Sequence, residues 1–322
     1  MRVLVTGSTG LIGSAVVRRL KGDGHEVIAA SSVGIEGSTA HGDLRLHGIA
    51  TRLIEISQPQ VVIHCAAKIS GIAAQKADPS AAVLDNLVMS AQVIDACAKA
   101  KSPSGSGVKL VFLSSSTVYP MRINGGRVPT SGLSVPYVDL MLGEAKESWP
   151  LRPEPLYRGV GGVKVYLESL LDFYADSFGL QSVILRPTAV YGPGDRSQHV
   201  VPDLICRADA NEIPLVVWGG PDTVRDFVYV DDVADAVAAT LVGPNGTFNI
   251  GSGEKTTIFT LADEIMLAVH GRHRLVELED RYGGSALKFD ESKPTAIPWR
   301  AVSIEHAGKV LGWAPKVSLH DG

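Results

Sequence analysis

The chain has 322 residues, 45% hydrophobic and 20% charged, with a net charge of −4 and a pI near 6.1. That length and balance predict one large or two small folded cores and exclude a disordered chain. The lack of a dense basic patch excludes a nucleic-acid partner, and no apolar run reaches the ~18 residues that span a membrane. The chain enters a strand at once, with no charged-then-apolar leader, and Cys65, Cys97 and Cys206 lie far apart without metal or disulfide spacing. The expectation is a cytoplasmic protein without a metal, acting on a small molecule.

RVLV (2–5) is a short apolar strand, and LIGSAVVRRLKGDG (11–24) repeats apolar residues at helical spacing until Gly22 and Gly24 stop it. EVIAAS (26–31), VVIHCAA (61–67) and KLVFLSSS (109–116) read as further strands, with a helix over 80–100 between the last two. KSPSGSG (101–107) is the loop joining that helix to its strand. Residues 121–156 are rich in Gly, Ser and Pro, the composition of a lid, a substrate loop or a disordered segment. GVKVYLESLLDFYADSFG (162–179) reads as a helix and SVILRP (182–187) as a strand. Fully apolar strands alternating with helices predict an α/β fold, a doubly wound parallel sheet binding ligands at the carboxyl ends of its strands.

Past residue 187 the alternation loosens, and PLVVWG (214–219) and LADEIMLAVHG (261–271) are separated by more loop. DFVYVDDVADAVAATLV (226–242) reads as a return to the first part. Residues 1–186 with about 226–250 are therefore expected to form a dinucleotide-binding domain. Residues 187–225 with about 251–322 would form a smaller substrate lobe.

TGSTGLIG (6–13) joins the first strand to the first helix. Gly7, Gly10 and Gly13 permit a tight turn and close backbone approach, and Leu11 and Ile12 open a helix whose N-terminus favours a pyrophosphate. The second strand ends at Ser31, with no acidic residue for a ribose 2′-hydroxyl, which leans toward NADP and leaves NAD possible. Asp43 is either an adenine-side contact or a helix N-cap.

SSSTVYP (114–120), the Tyr157/Lys164 region and ILRPTAVYGPGD (184–195), with the glycine loop, resemble the extended short-chain dehydrogenase/reductases. AAKISGI (66–72), QHVVP (198–202), VVWGGPDTVRDFVYVDD (216–232) and KFDESKPTAIPWR (288–300) are similar to the GDP-L-fucose synthase branch, epimerase/reductases of GDP-4-keto-6-deoxy-mannose. The resemblance covers nearly the whole chain. It implies that Ser115 bonds the sugar ketone, Lys164 holds the nicotinamide ribose, and His199 is an acid in epimerisation. It implies that Trp218, Arg225 and Lys293 hold the nucleotide and its diphosphate, a role suited to cations. Leu44, Ala66, Lys68 and Pro187 would line the cofactor. A homodimer is implied, through helices such as 81–100 and 162–179.

The chain departs from that pattern around the sugar. The branch places a tyrosine four residues before its lysine; YRGVGGVK (157–164) places Tyr157 seven before and Val160 four before. Both spacings share a helix face, but the axial separation grows from about 6 Å to about 10.5 Å. Either Gly159, Gly161 and Gly162 let Tyr157 fold back as the acid, or Val160 fills the tyrosine's place. Tyr166 points away from the lysine's face and is read as packing. Thr117 stands where the branch has a cysteine base, and an unaided threonine hydroxyl is no base. Ala189 replaces an asparagine, and the 121–156 segment is longer.

The expected function is an NADP(H)-dependent nucleotide-sugar oxidoreductase, reducing a GDP-4-keto-6-deoxy sugar with or without epimerisation. The alternatives are a redox-neutral NAD(P)-retaining epimerase or dehydratase, and a non-catalytic nucleotide-sugar-binding protein.

Overall fold

The computed structural model describes residues 1–32, 39–69, 78, 80, 82–102, 105–120, 144–197, 199–293 and 299–322. Most of the long segment expected over 121–156, namely 121–143, lies outside the described residues. The first part runs β1 (Arg2–Thr6), α1 (Leu11–Gly22), β2 (Glu26–Ser31), β3 (Ala40–His41), α2 (Ile49–Ser57), β4 (Val61–His64), α3 (Val83–Lys99), β5 (Lys109–Leu113), α4 (Val160–Phe178) and β6 (Ser182–Pro187). It continues β7 (Ala189–Tyr191), α5 (Val200–Asp209), β8 (Leu215–Trp218), β9 (Val224–Arg225), β10 (Phe227–Tyr229), α6 (Val230–Ala239) and β11 (Gly246–Ile250). Then follow β12 (Thr256–Thr257), α7 (Ile258–Tyr282), β13 (Leu287–Asp290) and α8 (Glu305–Leu311).

Seven strands form a parallel sheet in the order β11-β6-β5-β4-β1-β2-β3. β4 and β5 are buried at every position because helices cover both faces, which is why they read as unbroken apolar runs. One face packs Val3, Val5, Ile63, Val111 and Phe248 against Val16 and Leu20 of α1 and Val233 and Val237 of α6. The other packs Leu4, Val62 and Phe112 against Ile94 of α3 and Leu167 and Leu171 of α4. A third cluster joins Leu204 of α5, Leu215 and Val217 of β8, and Leu261 and Met266 of α7.

From β1 the chain winds outward through β2 and β3, and from β4 it winds the other way through β5 and β6. The reversal between β1 and β4 opens a crevice at the strands' carboxyl ends, where Thr6 and His64 pair in register.

The elements differ from the sequence reading in local ways. β4 ends at His64 rather than continuing to residue 67. α4 begins at Val160, two residues before the apolar periodicity starts. α7 runs past the stretch 261–271 and is broken at Gly271, which has φ 73° and ψ 154°, before helix resumes to Tyr282. β11, at one edge of the sheet, is GTFNI, too short and too glycine-led to announce itself. Among the described residues no helix is long and apolar enough to cross a membrane.

Candidate active site

The glycine loop lies at the crevice. Gly7 has φ +67°, and a Cβ there would sit 2.6 Å from the Ala66 backbone. A Cβ on Gly13 would collide with the Gly7 carbonyl. Both glycines are therefore demanded by close approach, one tying the loop to the chain after β4 and one seating α1 on the loop. Gly10 is the extended N-cap of α1 and supplies no side-chain cap, so the first-turn N–H groups face the crevice without one. The Ser8 hydroxyl is buried with no partner among the described residues. An uncapped helix start and an orphaned buried hydroxyl fit a phosphate-bearing ligand.

Beside the loop, Ser31 is buried at the end of β2. Asp43 is clasped by Arg45, at 2.7 Å to Nη2, and that hydrogen bonding holds its carboxyl below the usual range. Arg45 and Lys68 both reach Asp85, at 3.4 and 3.1 Å. The Lys68 backbone N–H donates to Asn86 Oδ1 at 2.7 Å, and Asn86 Nδ2 donates back to the Lys68 carbonyl, which pins the chain after Ala66. Leu44 is buried in the core beneath.

His64, absent from the sequence reading, sits under the crevice between Thr6 Oγ1 at 2.8 Å and Ser90 Oγ at 3.0 Å. Burial, with the Lys164 charge nearby, pushes its pKa down to about 3, so it is neutral and structural. Lys164 projects from α4, donates to the Leu113 carbonyl at 2.6 Å, and lies 4.5 Å from the centre of the Phe112 ring. Burial lowers its pKa to about 8, against the opposing pull of Glu168 and Cys65.

After β5 the chain makes a 3-10 turn, Ser116–Val118, with Ser115 as its N-cap. Ser115 Oγ accepts from the Thr117 N–H at 3.1 Å and from the Thr117 hydroxyl at 3.0 Å. A serine oxygen has two acceptor positions and one proton. Thr117 occupies both acceptor positions, so Ser115 is left as a donor, and Thr117's own proton is already committed. The turn sits against the start of α4: a Cβ on Gly161 would be 2.6 Å from the Thr117 carbonyl.

A buried polar network supports this turn. Glu168 pairs with Arg186 at 2.5 Å and accepts from Ser114. Arg186 donates to the Tyr119 hydroxyl at 2.7 Å, and Tyr119 donates to Asn249 Oδ1 at 2.7 Å. Tyr119 is buried and its pKa is pushed up, so its phenol is a structural link rather than an acid. Asn249 donates to the Ala145 carbonyl at 2.8 Å, its N–H donates to Glu147 Oε1 at 2.8 Å, and Arg186 reaches the Glu147 carbonyl. The sequence carried a faint signal of this network, a lone arginine in the apolar strand SVILRP and a glutamate on the inward face of α4.

The remaining expected residues fall into separate groups. His199 is exposed, the N-cap of α5, with its N–H on Ser197 Oγ at 3.3 Å. Pro187 ends β6, paired in register with Ile250. Trp218, 50% exposed, carries Lys293 Nζ at 5.8 Å from its ring, because β8 and β13 run side by side. Arg225, on β9, sits instead with Arg300, which the sequence reading did not single out; the Arg300 N–H donates to the Val224 carbonyl at 3.1 Å. Burial, then repulsion from Arg300, lowers the Arg225 pKa to about 10. Tyr157 belongs to this group: its ring centre is 4.7 Å from the Arg300 guanidinium carbon. The carboxylate whose charge reaches Lys164 is Glu168. Val160 is the residue one helical turn before Lys164. Among the described residues no cluster of three His, Cys, Asp or Glu is placed to hold a metal.

A parallel sheet with a glycine loop at its switch point and a serine–lysine pair beside it defines a dinucleotide-dependent enzyme of the α/β class. Residues 3–251 match the NAD dependent epimerase/dehydratase family, and the chain belongs to it. It is similar to a GDP-L-fucose synthase of Sinorhizobium fredii, 31% identical over 100% of this chain and 92% of that protein. A dTDP-4-dehydro-6-deoxy-D-allose reductase of a Streptomyces species is 30% identical over 98% and 91%. Among solved structures, a UDP-glucose 4-epimerase of Thermotoga maritima with UDP-glucose superposes with a TM-score of 0.77 at 25% identity, covering 100% and 96%. That of Thermus thermophilus with NAD gives 0.75 at 28% identity, with the same coverage.

Proposed function

We propose that the chain is an NADP(H)-dependent nucleotide-sugar oxidoreductase that reduces a GDP-4-keto-6-deoxy sugar. The observation that carries this reading is Ser115: both acceptor positions filled by Thr117, its proton free for a carbonyl oxygen, on the turn packed against the helix of Lys164. The relatives named as a GDP-L-fucose synthase and a dTDP-keto-sugar reductase support the substrate class.

Gly7, Gly10 and Gly13 with the start of α1 would take the cofactor's pyrophosphate, and Ser8 offers it a hydroxyl. Asp43, Leu44, Ala66, Lys68 and Pro187 would line the cofactor, and the strand's ending in Ser31 rather than an acidic residue favours NADP. The cofactor, when bound, supplies a hydride to the ketone carbon. Ser115 donates a hydrogen bond to the ketone oxygen and stabilises the charge that develops there, and a solvent water supplies the proton that completes the alcohol. Lys164, tied to the Leu113 carbonyl, would orient the ribose. Trp218 with Lys293 would receive the base, and Arg225 with Arg300 the diphosphate. His199 would hydrogen-bond the sugar. Exposed Leu84 on α3, with Tyr166 and Phe173 on α4, supports a homodimer through those helices.

Absorbance at the nicotinamide band, with NADPH and GDP-4-keto-6-deoxy-mannose, tests the reading; a fall supports it. The likeness to UDP-glucose 4-epimerases favours a second reading, a redox-neutral epimerase. That reading predicts flat absorbance with conversion of the sugar nucleotide.

A further inference from the structure

YRGVGGVK contains the phenol nearest in sequence to Lys164, yet the fold sends it elsewhere. Tyr157 closes a separate 3-10 turn, Pro155–Tyr157, before α4 begins. Val160 takes the position one turn ahead of Lys164. The register of α4 is held by Gly161, whose missing Cβ lets the helix approach the Thr117 carbonyl and Pro153. Sliding the helix to bring Tyr157 toward Lys164 would drive a side chain into that contact.

Tyr157 lies instead against two buried arginines. Arg300 stacks over its ring at 4.7 Å. Arg225 and Arg300 lie close enough to repel, and the Glu154 carboxylate also reaches Arg300. Arg300 Nη2 is buried with no hydrogen-bond partner among the described residues. Two neighbouring guanidinium groups, one with an unused buried donor, are a site for a multiply charged anion.

We propose that Tyr157 is a positioning residue of this anion site, its ring holding Arg300 so that Arg300 and Arg225 grip the substrate's diphosphate, and that it is not the proton donor to the ketone. The proposal rests on the nucleotide-sugar reading above. A proton donor acts through its hydroxyl, whereas a stacking platform acts through its ring, so the two roles respond oppositely to Tyr157→Phe and Tyr157→Ala.

Calorimetric titration with GDP, and separately with inorganic pyrophosphate, is compared for the wild type, Tyr157→Phe, Tyr157→Ala and Arg300→Met, with thermal unfolding of each as a folding check. Reductase turnover is measured in parallel. The expected result is that Tyr157→Phe binds GDP and turns over within about threefold of wild type. Tyr157→Ala weakens both ligands about tenfold, and Arg300→Met at least as much. A hundredfold drop in kcat for Tyr157→Phe with unchanged GDP affinity would overturn the proposal, as would wild-type affinity in a folded Tyr157→Ala. Lack of turnover in the wild type sinks the reductase reading alone, because the binding arms still decide the role of Tyr157. Lack of binding of either probe by the wild type overturns the anion site itself.

Discussion

Gly161 and Gly162 are adjacent, both helical, and face opposite demands. A Cβ on Gly161 would lie 2.6 Å from the Thr117 carbonyl and 3.0 Å from Pro153 Cβ, whereas one on Gly162 meets nothing within 4 Å. To reach ordinary contact, near ~3.4 Å, the start of α4 and the Ser115–Thr117 turn must separate by roughly 0.8 Å. Forced separation of a packed contact costs about 1–3 kcal/mol. For 322 residues the unfolding entropy is about 0.7 kcal/mol/K, so Gly161→Ala lowers Tm by about 1.5–4 °C. Gly162→Ala removes a flexible residue from a helix, worth about 0.5–1 kcal/mol, and raises Tm by about 1 °C. The catalytic effect is larger: a shift of that size between Ser115 and Lys164 approaches the ~1 Å displacement that costs about a hundredfold. Gly161→Ala should therefore lose about 10–100-fold in kcat/KM while Gly162→Ala stays near wild type. Differential scanning fluorimetry and NADPH oxidation read the two quantities. Equal Tm and equal turnover for the two variants would refute the claim that this glycine holds the helix against the turn.

Thr117→Val removes the hydroxyl that orients Ser115 and should lower kcat about tenfold with little change in KM, and Thr117→Ser should restore it; steady-state kinetics decide. With that hydroxyl committed as a donor, wild-type turnover in D2O should place no deuterium on the carbons flanking the ketone, read by mass spectrometry. Glu168→Gln leaves Arg186 charged and buried without its partner, a loss of about 3–5 kcal/mol, seen as a Tm lower by about 4–7 °C. Asp226 is buried, accepts from Thr188, Ser252 and Gly253, and has one oxygen without a partner; burial raises its pKa to about 6. The native state then binds more protons than the unfolded state between about pH 4 and 6. Its contribution, up to about 3 kcal/mol, is present below about pH 4 and is lost as pH rises through about 6. Asp226→Asn should flatten that part of the urea-derived stability profile.

What the sequence made legible was local. The glycine loop and the apolar strands sit within short windows whose spacing carries geometry, whereas Ser115, Thr117 and Lys164 were singled out by resemblance alone. Tyr157 and Val160 stood as two alternatives there because a helix's first residue cannot be read from a run containing three glycines. The meeting of Tyr157, Arg225 and Arg300 was out of reach, since it joins a turn, a two-residue strand and a bridge near residue 299 that are far apart in the chain. His64 hid in an apolar run because its partners, Thr6 and Ser90, come from other elements.

The chain on either side of 121–143 is riveted to the sheet. Tyr119 is bound by Arg186 and Asn249 on one side, and Ala145 and Glu147 are bound by Asn249 and Arg186 on the other. The same two side chains clamp both ends. Loosening either side chain would therefore release the chain at Tyr119 and the chain at Ala145 and Glu147 together, so the two ends stand or fall as one.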